Sequence, residues 1–399
     1  MRDAQTSVQM VKATSSPVRG GQVKIGAVRR TALGRRTERV FWSRLSGPQL
    51  SRPLRELFRA NGTRAAGWAE AEAIVRAPDV APGIADRAAG LLQDEAAFAS
   101  FGDSRRVTGE GSAPERLAFY AASRLIGRKA FERRRRALEA LPSETSPLDA
   151  LRIDRRTGVL VTEQGGWGPV EAAVTEARRA FAAPDRQHAN AAKPFLATAR
   201  IPGEVLDSDI MALGLEPSVL RLAGRYLEGL PILYRINLLE SSNDHLEDAS
   251  SQFFHLDPED FRQVKIFMLV EDVDEHCGPL HLLEAGASDQ VRLKLGHRHG
   301  RLADDAVMDI AAREALVRCA GPAGTLAIGD TSRCFHYGSR PGRRRRYVVM
   351  YQYVTPFACS FPIDAREVSS KYAQQIRRRE AERGGTLPEQ EALVFGLER

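Results

Sequence analysis

Short, strand-like segments separated by turn residues follow one another from residue 231 to about residue 357. The segments are PILYRINLLES, QFFHL, RQVKIFMLVED, GPLHLLE, GTLAIGD and RRYVVMYQYV. They are rich in β-branched and aromatic residues, and Gly, Pro and Asp residues lie between them. Strands this short and this often interrupted are typical of an antiparallel barrel or sandwich, because tight turns join antiparallel neighbours. This part of the chain therefore predicts a β core on which the remaining segments pack.

Helical patterns flank the strand-rich segment on both sides. The Ala- and Leu-rich stretches 82–101, 114–141 and 168–183 have apolar residues three and four positions apart, which is the spacing of a buried helix face. Residues 365–385 carry Glu and Arg at helical spacing and end at glycine. The run Arg133–Arg136 has no interleaved aromatic residues, so it predicts a solvated helix face and not a nucleic-acid site. The predicted fold class is α+β.

These changes in residue pattern divide the chain into four parts. We expect a disordered basic tail at 1–40, a mainly helical region at 41–195, a β core at 196–360 and a helical cap at 361–399. The chain has 399 residues, 43% of them apolar, which is enough for one large domain or two ordinary ones.

The net charge of +7 belongs to the tail. Residues 1–40 hold nine Lys or Arg residues and two acidic residues, so their surplus equals the charge of the whole chain. The tail is rich in Gly, Ser and Arg with weak periodicity, which predicts disorder, and an organellar presequence stays open as the alternative. The balanced remainder of the chain argues against a face that binds nucleic acid.

Hydropathy and cysteine usage indicate the compartment. No apolar run approaches the roughly 18 residues of a membrane span, and the longest runs, such as IFMLV at 266–270, have strand length. The four cysteines include no CxxC pair, which predicts thiols in a reducing environment. We therefore expect a cytoplasmic protein.

A candidate metal site begins in FFHLDPEDF, residues 253–261. Side chains at positions i and i+2 of a strand point to the same face, so His255 and Asp257 would project together. A second histidine would complete a 2-His-1-carboxylate site, which binds Fe(II) and leaves positions open for substrates. The best candidate is His336, which follows the predicted strand GTLAIGD and precedes a Gly/Pro turn. An isolated H-x-D, by contrast, is more often a pair of polar residues on a solvated strand face.

A run of arginines opens the strand that follows His336. A keto-acid cosubstrate such as 2-oxoglutarate needs an anchor for its far carboxylate, and an arginine on a strand forms a bidentate pair with such a group. Arg346 is the first choice. Arg344 would share its face and Arg345 would point the other way, but a run of four arginines leaves the register open, so both stay as fallbacks.

The stretch HLDPEDFRQVKIFMLVEDVDEHCGPLHLLEAGAS resembles the core of the phytanoyl-CoA dioxygenase-like family of Fe(II)/2-oxoglutarate-dependent oxygenases. That family has H-x-D, then D-V-D-E-x-x-G-P-L, then a distal His followed by G-S, and an Arg ten or eleven residues further on. The counterparts here are His255, Asp257, Asp272–Leu280, His336, Gly338, Ser339 and Arg346. The resemblance covers roughly residues 200–357. The chain departs from the family at Cys277, where Asn is usual, and at LLEAGAS, where the family has a P-G-S-H-like turn.

The resemblance implies that the α+β fold is a double-stranded β-helix, a jelly-roll or cupin-like barrel, flanked by N-terminal and C-terminal helices. It implies that His255, Asp257 and His336 hold Fe(II), and that Arg346, with Ser339 beside it, binds 2-oxoglutarate. O₂ is then the co-reactant. The expected reaction is hydroxylation of an unactivated C–H bond of a small metabolite, acyl or natural-product substrate, with release of succinate and CO₂. Related iron halogenases have Gly or Ala at the carboxylate position, so Asp257 favours hydroxylation.

Three residues on neighbouring strands are further candidates for the site. Lys265 and Tyr234 lie on strands that flank the predicted metal ligands and would line the 2-oxoglutarate pocket. Arg235, on the same strand as Tyr234, is a candidate anchor for the substrate.

Two other functions stay open. A hydrolase or isomerase would bind Zn or another divalent ion through the same three residues, but it would not need the arginine anchor. A non-catalytic binding module on a decayed barrel is the third possibility, and the intact triad argues against it. The expected partner is a small-molecule substrate, without nucleic acid or a membrane span, while a homodimer or carrier-protein contact through the helical N-terminal region stays open.

Overall fold

The structure is a computed structural model. It describes residues 64–93, 111–142, 146–183, 186–188, 193, 195–201, 203–242, 250–356, 358, 370–383 and 387–397. All of them belong to one compact unit, Leu45–Arg399. The predicted basic tail, 1–40, lies outside the described residues, as does the first part of the predicted C-terminal cap.

The described chain begins with helices, continues with strands and helices in mixed order, and ends with two helices. The α-helices are α1 (Arg64–Val75), α2 (Pro82–Gln93), α3 (Ala113–Ile126), α4 (Arg128–Glu139), α5 (Gly168–Ala182), α6 (Asp209–Leu215), α7 (Pro217–Leu227), α8 (Ala285–Leu295), α9 (Asp304–Met308), α10 (Ala373–Arg383) and α11 (Glu389–Val394). The β-strands are β1 (Val159–Glu163), β2 (Arg186–His188), β3 (Leu196–Ala199), β4 (Ile232–Ser241), β5 (Phe254–His255), β6 (Val264–Leu269), β7 (Leu280–Leu283), β8 (Arg301–Leu302), β9 (Leu316–Cys319), β10 (Thr325–Gly329), β11 (His336–Tyr337) and β12 (Arg346–Val354). Within the described residues, no helix has both the length and the apolar character to cross a membrane.

The strands form two antiparallel sheets within the described part of the chain. The larger sheet has the order β1-β10-β6-β12-β4-β3-β2, and the smaller sheet has the order β8-β5-β11-β7-β9. In the larger sheet β12 pairs with β4 on one side and with β6 on the other. The strands of the smaller sheet are short, and β5, β8 and β11 have two residues each. Helices with antiparallel sheets confirm the predicted α+β class.

Alternate residues of the larger sheet point to opposite faces, as strand geometry requires. One face packs on helices α5, α6 and α7 in a single apolar core. The sheet contributes to this core Ile266, Met268, Ile328, Val349 and Tyr351, and the helices contribute Phe181, Met211 and Leu222. Burial of each such side chain contributes about 1.5–3 kcal/mol, so this core holds the helices on the sheet. The other face of the sheet is turned toward the smaller sheet.

A second core lies among helices α1, α2 and α3. It includes Phe261, which comes from the loop after β5 and not from a helix. The Phe261 ring stacks on Tyr120 of α3 with the ring centroids 4.9 Å apart. The N-terminal helices therefore contact the loop that carries Asp257.

The structure differs from the predicted boundaries in three places. Strand β1 pairs with β10, so the larger sheet begins at residue 159, before the expected core start at 196. The predicted helix 114–141 is divided into α3 and α4 at Gly127, a residue with low helix propensity. Helix α8 begins in LLEAGAS, within the strand-rich segment. It buries Ala285, Ser288 and Val291 on one side and ends at Gly296 with φ +58°.

The run Arg133–Arg136 is not solvated throughout. Arg134 is completely buried, and it donates from Nη1 to the carbonyl oxygen of Leu230 at 2.9 Å and from Nη2 to that of Leu393 at 3.0 Å. Its neighbour Arg135 is exposed. The prediction of a solvated face was therefore wrong for Arg134, because its guanidinium joins helix α4 to the segment before β4 and to helix α11.

We expect Arg134→Met to lower the free energy of unfolding by about 2–4 kcal/mol, because two buried carbonyls lose a charged donor. Arg135→Met, one position further on, is the matched control and should change it by less than about 0.5 kcal/mol. Urea denaturation followed by circular dichroism measures both variants. Equal losses in the two variants would show that the buried contacts of Arg134 do not stabilise the fold.

Candidate active site

A cavity of about 530 Å³ lies between the two sheets. The larger sheet lines one wall through β4, β6 and β12, and the smaller sheet lines the other through β5, β7, β9 and β11. Its charged and titratable lining residues are Lys193, Arg235, His255, Asp257, Glu259, Lys265, Cys319, His336 and Arg346. Most residues of the predicted site therefore line one space.

The structure brings His255, Asp257 and His336 together in this cavity. His255 of β5 and His336 of β11 are direct partners in the antiparallel pairing of the smaller sheet. Asp257 follows the end of β5, and its backbone N–H donates to the carbonyl oxygen of Thr331 at 2.8 Å. One ligand atom from each of the three residues lies within 4.8 Å of the others. The three donors therefore converge, although Asp257 lies beyond the end of β5 and is placed by the loop.

Backbone carbonyls determine which nitrogen of each histidine is available. His255 Nδ1 lies 2.9 Å from the carbonyl oxygen of Phe253, and His336 Nδ1 lies 3.0 Å from that of Cys334. Because a carbonyl oxygen only accepts, each Nδ1 must carry the proton. Each Nε2 is then left with its lone pair, which is the arrangement by which proteins orient metal-binding imidazoles.

The charge states of the triad suit a metal ion at neutral pH. Burial lowers the pKa of His255 to about 3, and the neighbouring His336 adds to this effect. Burial also lowers the pKa of His336. Burial by itself would raise the pKa of Asp257, but the Lys265 ammonium, 2.7 Å away, and then the two histidines hold it below its ordinary value. Two neutral imidazoles and one carboxylate are the ligand set of a non-heme Fe(II) site and also suit Zn²⁺.

Arg346 lies in the same cavity and is buried. Its Nη2 donates to Ser339 Oγ at 2.9 Å and to Ser241 Oγ at 3.3 Å, while its Nε has no hydrogen-bond partner. Among the described residues no carboxylate pairs with it, and burial lowers its pKa to about 10. A buried guanidinium without a counter-charge is unfavourable until an anion joins it. Arg346 therefore fits the carboxylate of a bound acid.

The turn before β12 holds the guanidinium of Arg346 in place. Ser339 has a left-handed backbone with φ +61°, which is unusual for a residue other than glycine. Its Oγ lies 2.7 Å from Ser241 Oγ, so the two hydroxyls and the guanidinium form one buried group. A Cβ at Gly338 would lie 3.2 Å from Arg346 Nη2, so the position has little room for a side chain. Ser339 thus lines the cavity beside Arg346.

The two fallback arginines lie outside the cavity. Arg345 is exposed and pairs with Glu240 at 2.6 Å. Arg344 precedes the first residue of β12 and pairs with Asp274 at the surface. The assignment of Arg345 to the cosubstrate is corrected accordingly. Arg346 is the first residue of β12 and lines the cavity, whereas Arg344 and Arg345 precede the strand.

Lys265 lines the cavity as predicted, but Tyr234 does not. The pairing of β4 with β12 changes register here, since Gln352 pairs with Arg235 and Tyr353 pairs with Leu233. Tyr234 is therefore the extra residue of a β-bulge. Arg235 enters the cavity instead, and the ring of Tyr234 packs beside Ile232, Val354 and Ala358. The prediction for Tyr234 was wrong because strand periodicity does not reveal a bulge.

Sequence reasoning missed the residues that connect the N-terminal helices to the ligand-bearing loops. Asp79, in the turn between α1 and α2, accepts from Arg262 Nη2 and from Arg333 Nη1 through the same oxygen, each at 2.8 Å. Arg262 lies five residues after Asp257, and Arg333 lies three residues before His336. All three paired side chains are buried. No motif marks Asp79, which is 183 residues from Arg262 in the chain.

Helix α3 contacts the same loop directly. Arg116 Nη2 donates to the carbonyl oxygen of Asp260, and the carbonyl oxygen of Asp257 is 3.5 Å away. Arg116 is itself buried. The backbone around the carboxylate ligand is therefore held by one helix of the N-terminal region and by the turn that carries Asp79.

No protein-family model and no curated protein matches the sequence. The structure has weak likenesses among solved structures. The non-heme α-ketoglutarate-dependent epimerase SnoN from nogalamycin biosynthesis is 16% identical with a TM-score of 0.38, over 57% of this chain and 84% of that chain. EctD from S. alaskensis, with 2-oxoglutarate and 5-hydroxyectoine, is 16% identical with a TM-score of 0.38, over 54% of this chain and 80% of that chain. Prolyl hydroxylase from Trichoplax adhaerens is 11% identical with a TM-score of 0.35, over 56% and 92%.

We expect Asp79→Asn to weaken metal binding about tenfold, because it removes the charge that pairs with arginines beside both ligand loops. Asp86→Asn is the matched control, since Asp86 is exposed and pairs at the surface with Arg76. Titration of the metal-free protein with Co(II), followed by visible absorption, measures the affinity. A normal affinity in Asp79→Asn, with only a lower melting temperature, would limit Asp79 to a role in stability.

The histidine pKa values predict a loss of stability in acid for the metal-free protein. His255 has a lower pKa in the folded than in the unfolded chain, so the unfolded chain takes up the proton first as the pH falls below about 6.5. The contribution of His255 to the free energy of unfolding is complete above that pH and should decrease by about 2 kcal/mol between pH 6.5 and pH 5. Urea denaturation at each pH should show a flatter profile in His255→Gln.

The matched control for this profile is His276→Gln, because His276 is largely exposed. Its pH profile should follow that of the wild-type protein. A profile in His255→Gln as steep as in the wild type would show that His255 does not contribute to the acid sensitivity.

Proposed function

We propose that the protein is an Fe(II)- and 2-oxoglutarate-dependent dioxygenase that hydroxylates a C–H bond of a small substrate. One observation carries the proposal: a cavity holds both a converging 2-His-1-carboxylate group and a buried arginine that has no carboxylate partner among the described residues. A metal hydrolase would use the first feature but has no need of the second. A keto-acid cosubstrate needs both.

Each residue of the site has a role in this function. His255 and His336 hold Fe(II) through Nε2, and Asp257 holds it through its carboxylate. Arg346 binds the far carboxylate of 2-oxoglutarate with Ser339 beside it. When bound, the iron and the cosubstrate supply the oxidation of a C–H bond by O₂, with succinate and CO₂ as by-products.

The chain orients the reactants and keeps water away from them. The cavity wall between the triad and Arg346 is apolar and is formed by alternate residues of β6 and β12, Phe267, Leu269, Val348 and Met350. Such a wall excludes water from the reacting atoms and strengthens the pairing of Arg346 with its carboxylate. Lys265 bonds to Asp257 and holds the carboxylate ligand in its orientation.

We infer that the two sheets are those of a double-stranded β-helix of the phytanoyl-CoA dioxygenase-like family. The two facing antiparallel sheets support this assignment, as do the short strands that carry both histidines and the Gly338–Ser339 turn before the arginine strand. Asp257 supports hydroxylation over halogenation, because a halogenase leaves the carboxylate position free for chloride. The substrate is a small molecule that fits beside the cosubstrate.

Anaerobic addition of Fe(II) and 2-oxoglutarate to the metal-free protein should produce the weak visible charge-transfer band of an iron–keto-acid chelate. His255→Ala should abolish the band, because the site loses one of its two nitrogen ligands. Arg346→Ala should weaken 2-oxoglutarate binding by about tenfold to a hundredfold, the value of a charged hydrogen-bonded pair. Titration of the band with 2-oxoglutarate measures both effects.

Arg345→Ala is the matched control, since this neighbouring arginine is exposed and pairs with Glu240. Its affinity for 2-oxoglutarate should equal that of the wild-type protein. Absence of the band in the wild type, together with tight binding of Zn²⁺, would contradict the oxygenase function and favour a metal-dependent hydrolase or isomerase.

A further inference from the structure

The cavity carries positive charge in two separate regions. Arg346 pairs in register with Ser241 at one end of the β4–β12 ladder, and Arg235 pairs with Gln352 six residues away. Six strand residues span about 20 Å. Arg235 and Arg346 therefore lie toward opposite ends of the cavity, and the charge near Arg235 is not part of the cosubstrate anchor.

Lys193 contributes to the region near Arg235 and the triad. Its side chain lines the cavity and forms no ion pair with a carboxylate among the described residues. Burial lowers its pKa. The charged groups that act on it most strongly are Asp257 and then three cations, Lys265, Arg301 and Arg235. A partly buried lysine surrounded mainly by cations is stabilised when an anion joins it.

Arg235 is held in a defined orientation beside this lysine. Its Nε donates to Gln352 Oε1 at 2.6 Å, and its Nη2 pairs with Glu259 at 2.9 Å. The ion pair of Arg235 and Glu259 is neutral by itself, so Glu259 offers little compensation to Lys193. The guanidinium is thereby pre-oriented on the cavity wall and loses little entropy on binding a ligand.

The proposed cofactor and cosubstrate do not compensate the remaining charge. The two charges of Fe(II) are offset by the carboxylate of the triad and by the near carboxylate of 2-oxoglutarate. Arg346 offsets the far carboxylate. Lys265 keeps its hydrogen bond to Asp257, but the charge of that carboxylate is already counted against the metal, so Lys193 and Lys265 leave two positive charges uncompensated.

We propose that the substrate is a small organic anion whose carboxylate or phosphate is bound by Lys193, with Lys265 and Arg235 beside it. This inference rests on the proposed function and names the substrate class of the same site. The anionic group lies beside the triad and apart from Arg346. The carbon to be oxidised then faces the triad, and the apolar body of the substrate contacts Leu196 and Met350 of the cavity wall.

The test uses protein loaded anaerobically with Fe(II) and saturating 2-oxoglutarate, so that the Arg346 end is filled. Isothermal titration compares matched anionic and neutral probes: butanoate with butanamide, 3-phenylpropionate with 3-phenylpropanamide, and phenyl phosphate with phenol. We expect the preferred anion to bind at least about tenfold more tightly than its neutral partner. The carboxylate and phosphate pairs distinguish the two sources of negative charge.

Lys193→Gln should remove this preference while the affinity for 2-oxoglutarate is unchanged. Lys294→Gln, on the exposed side of α8, is the matched control and should keep the preference. Equal binding of the anionic and neutral probes, no binding of any anion to the loaded protein, or an unchanged preference in Lys193→Gln would each overturn the inference. Failure of 2-oxoglutarate itself to bind would be seen when the visible band is titrated with 2-oxoglutarate. That result would overturn the proposed function and this inference together.

Discussion

A single backbone pairing, His255 of β5 opposite His336 of β11, organises the candidate site. It brings two imidazoles from distant parts of the chain to the same wall of the cavity, and the loop after β5 adds Asp257. Strands of two residues provide too few hydrogen bonds to hold such an arrangement by themselves. The surrounding structure therefore has to support the loops, and it does so mainly through buried charge. Asp79 pairs with an arginine beside each ligand loop.

Through these contacts the N-terminal helices support the loops that carry the candidate ligands. In the described part of the chain they contribute no ligand to the triad. The carboxylate of Asp79, the guanidinium of Arg116 and the ring of Tyr120 nevertheless contact the loop segment from 257 to 262 or the arginine before β11. Buried ion pairs of this kind add little net stability compared with apolar packing, but they specify one geometry because each unpaired alternative is costly. A metal site needs that specificity more than it needs additional stability.

Much of the site could be predicted from short-range spacing. The sequence places His255 and Asp257 two residues apart and Arg346 at the start of an apolar strand, and all three residues line the cavity. Strand geometry accounts for the direction of Arg346, the first residue of β12, whereas Asp257 lies beyond the end of β5 in the loop that follows. These predictions rest on local spacing alone. They failed at Tyr234, where a bulge changes the count, and at Arg134, whose charge is compensated by carbonyls far along the chain. The place of strand β1 in the larger sheet could not be predicted, because pairing partners are chosen by the assembled fold.

The amino-acid sequence by itself determined the α+β class, the main helical and strand-rich segments, and the residue types capable of binding a metal and an acid. Local periodicity and turn residues carry that information. Only the tertiary structure decided that the three ligands converge, that Arg346 and not Arg345 enters the cavity, and that Lys193 and Arg235 lie in the same space. Those facts depend on contacts between residues far apart in the chain. The energies of these contacts come from burial and from neighbouring charges, and no short stretch of the sequence specifies either of them.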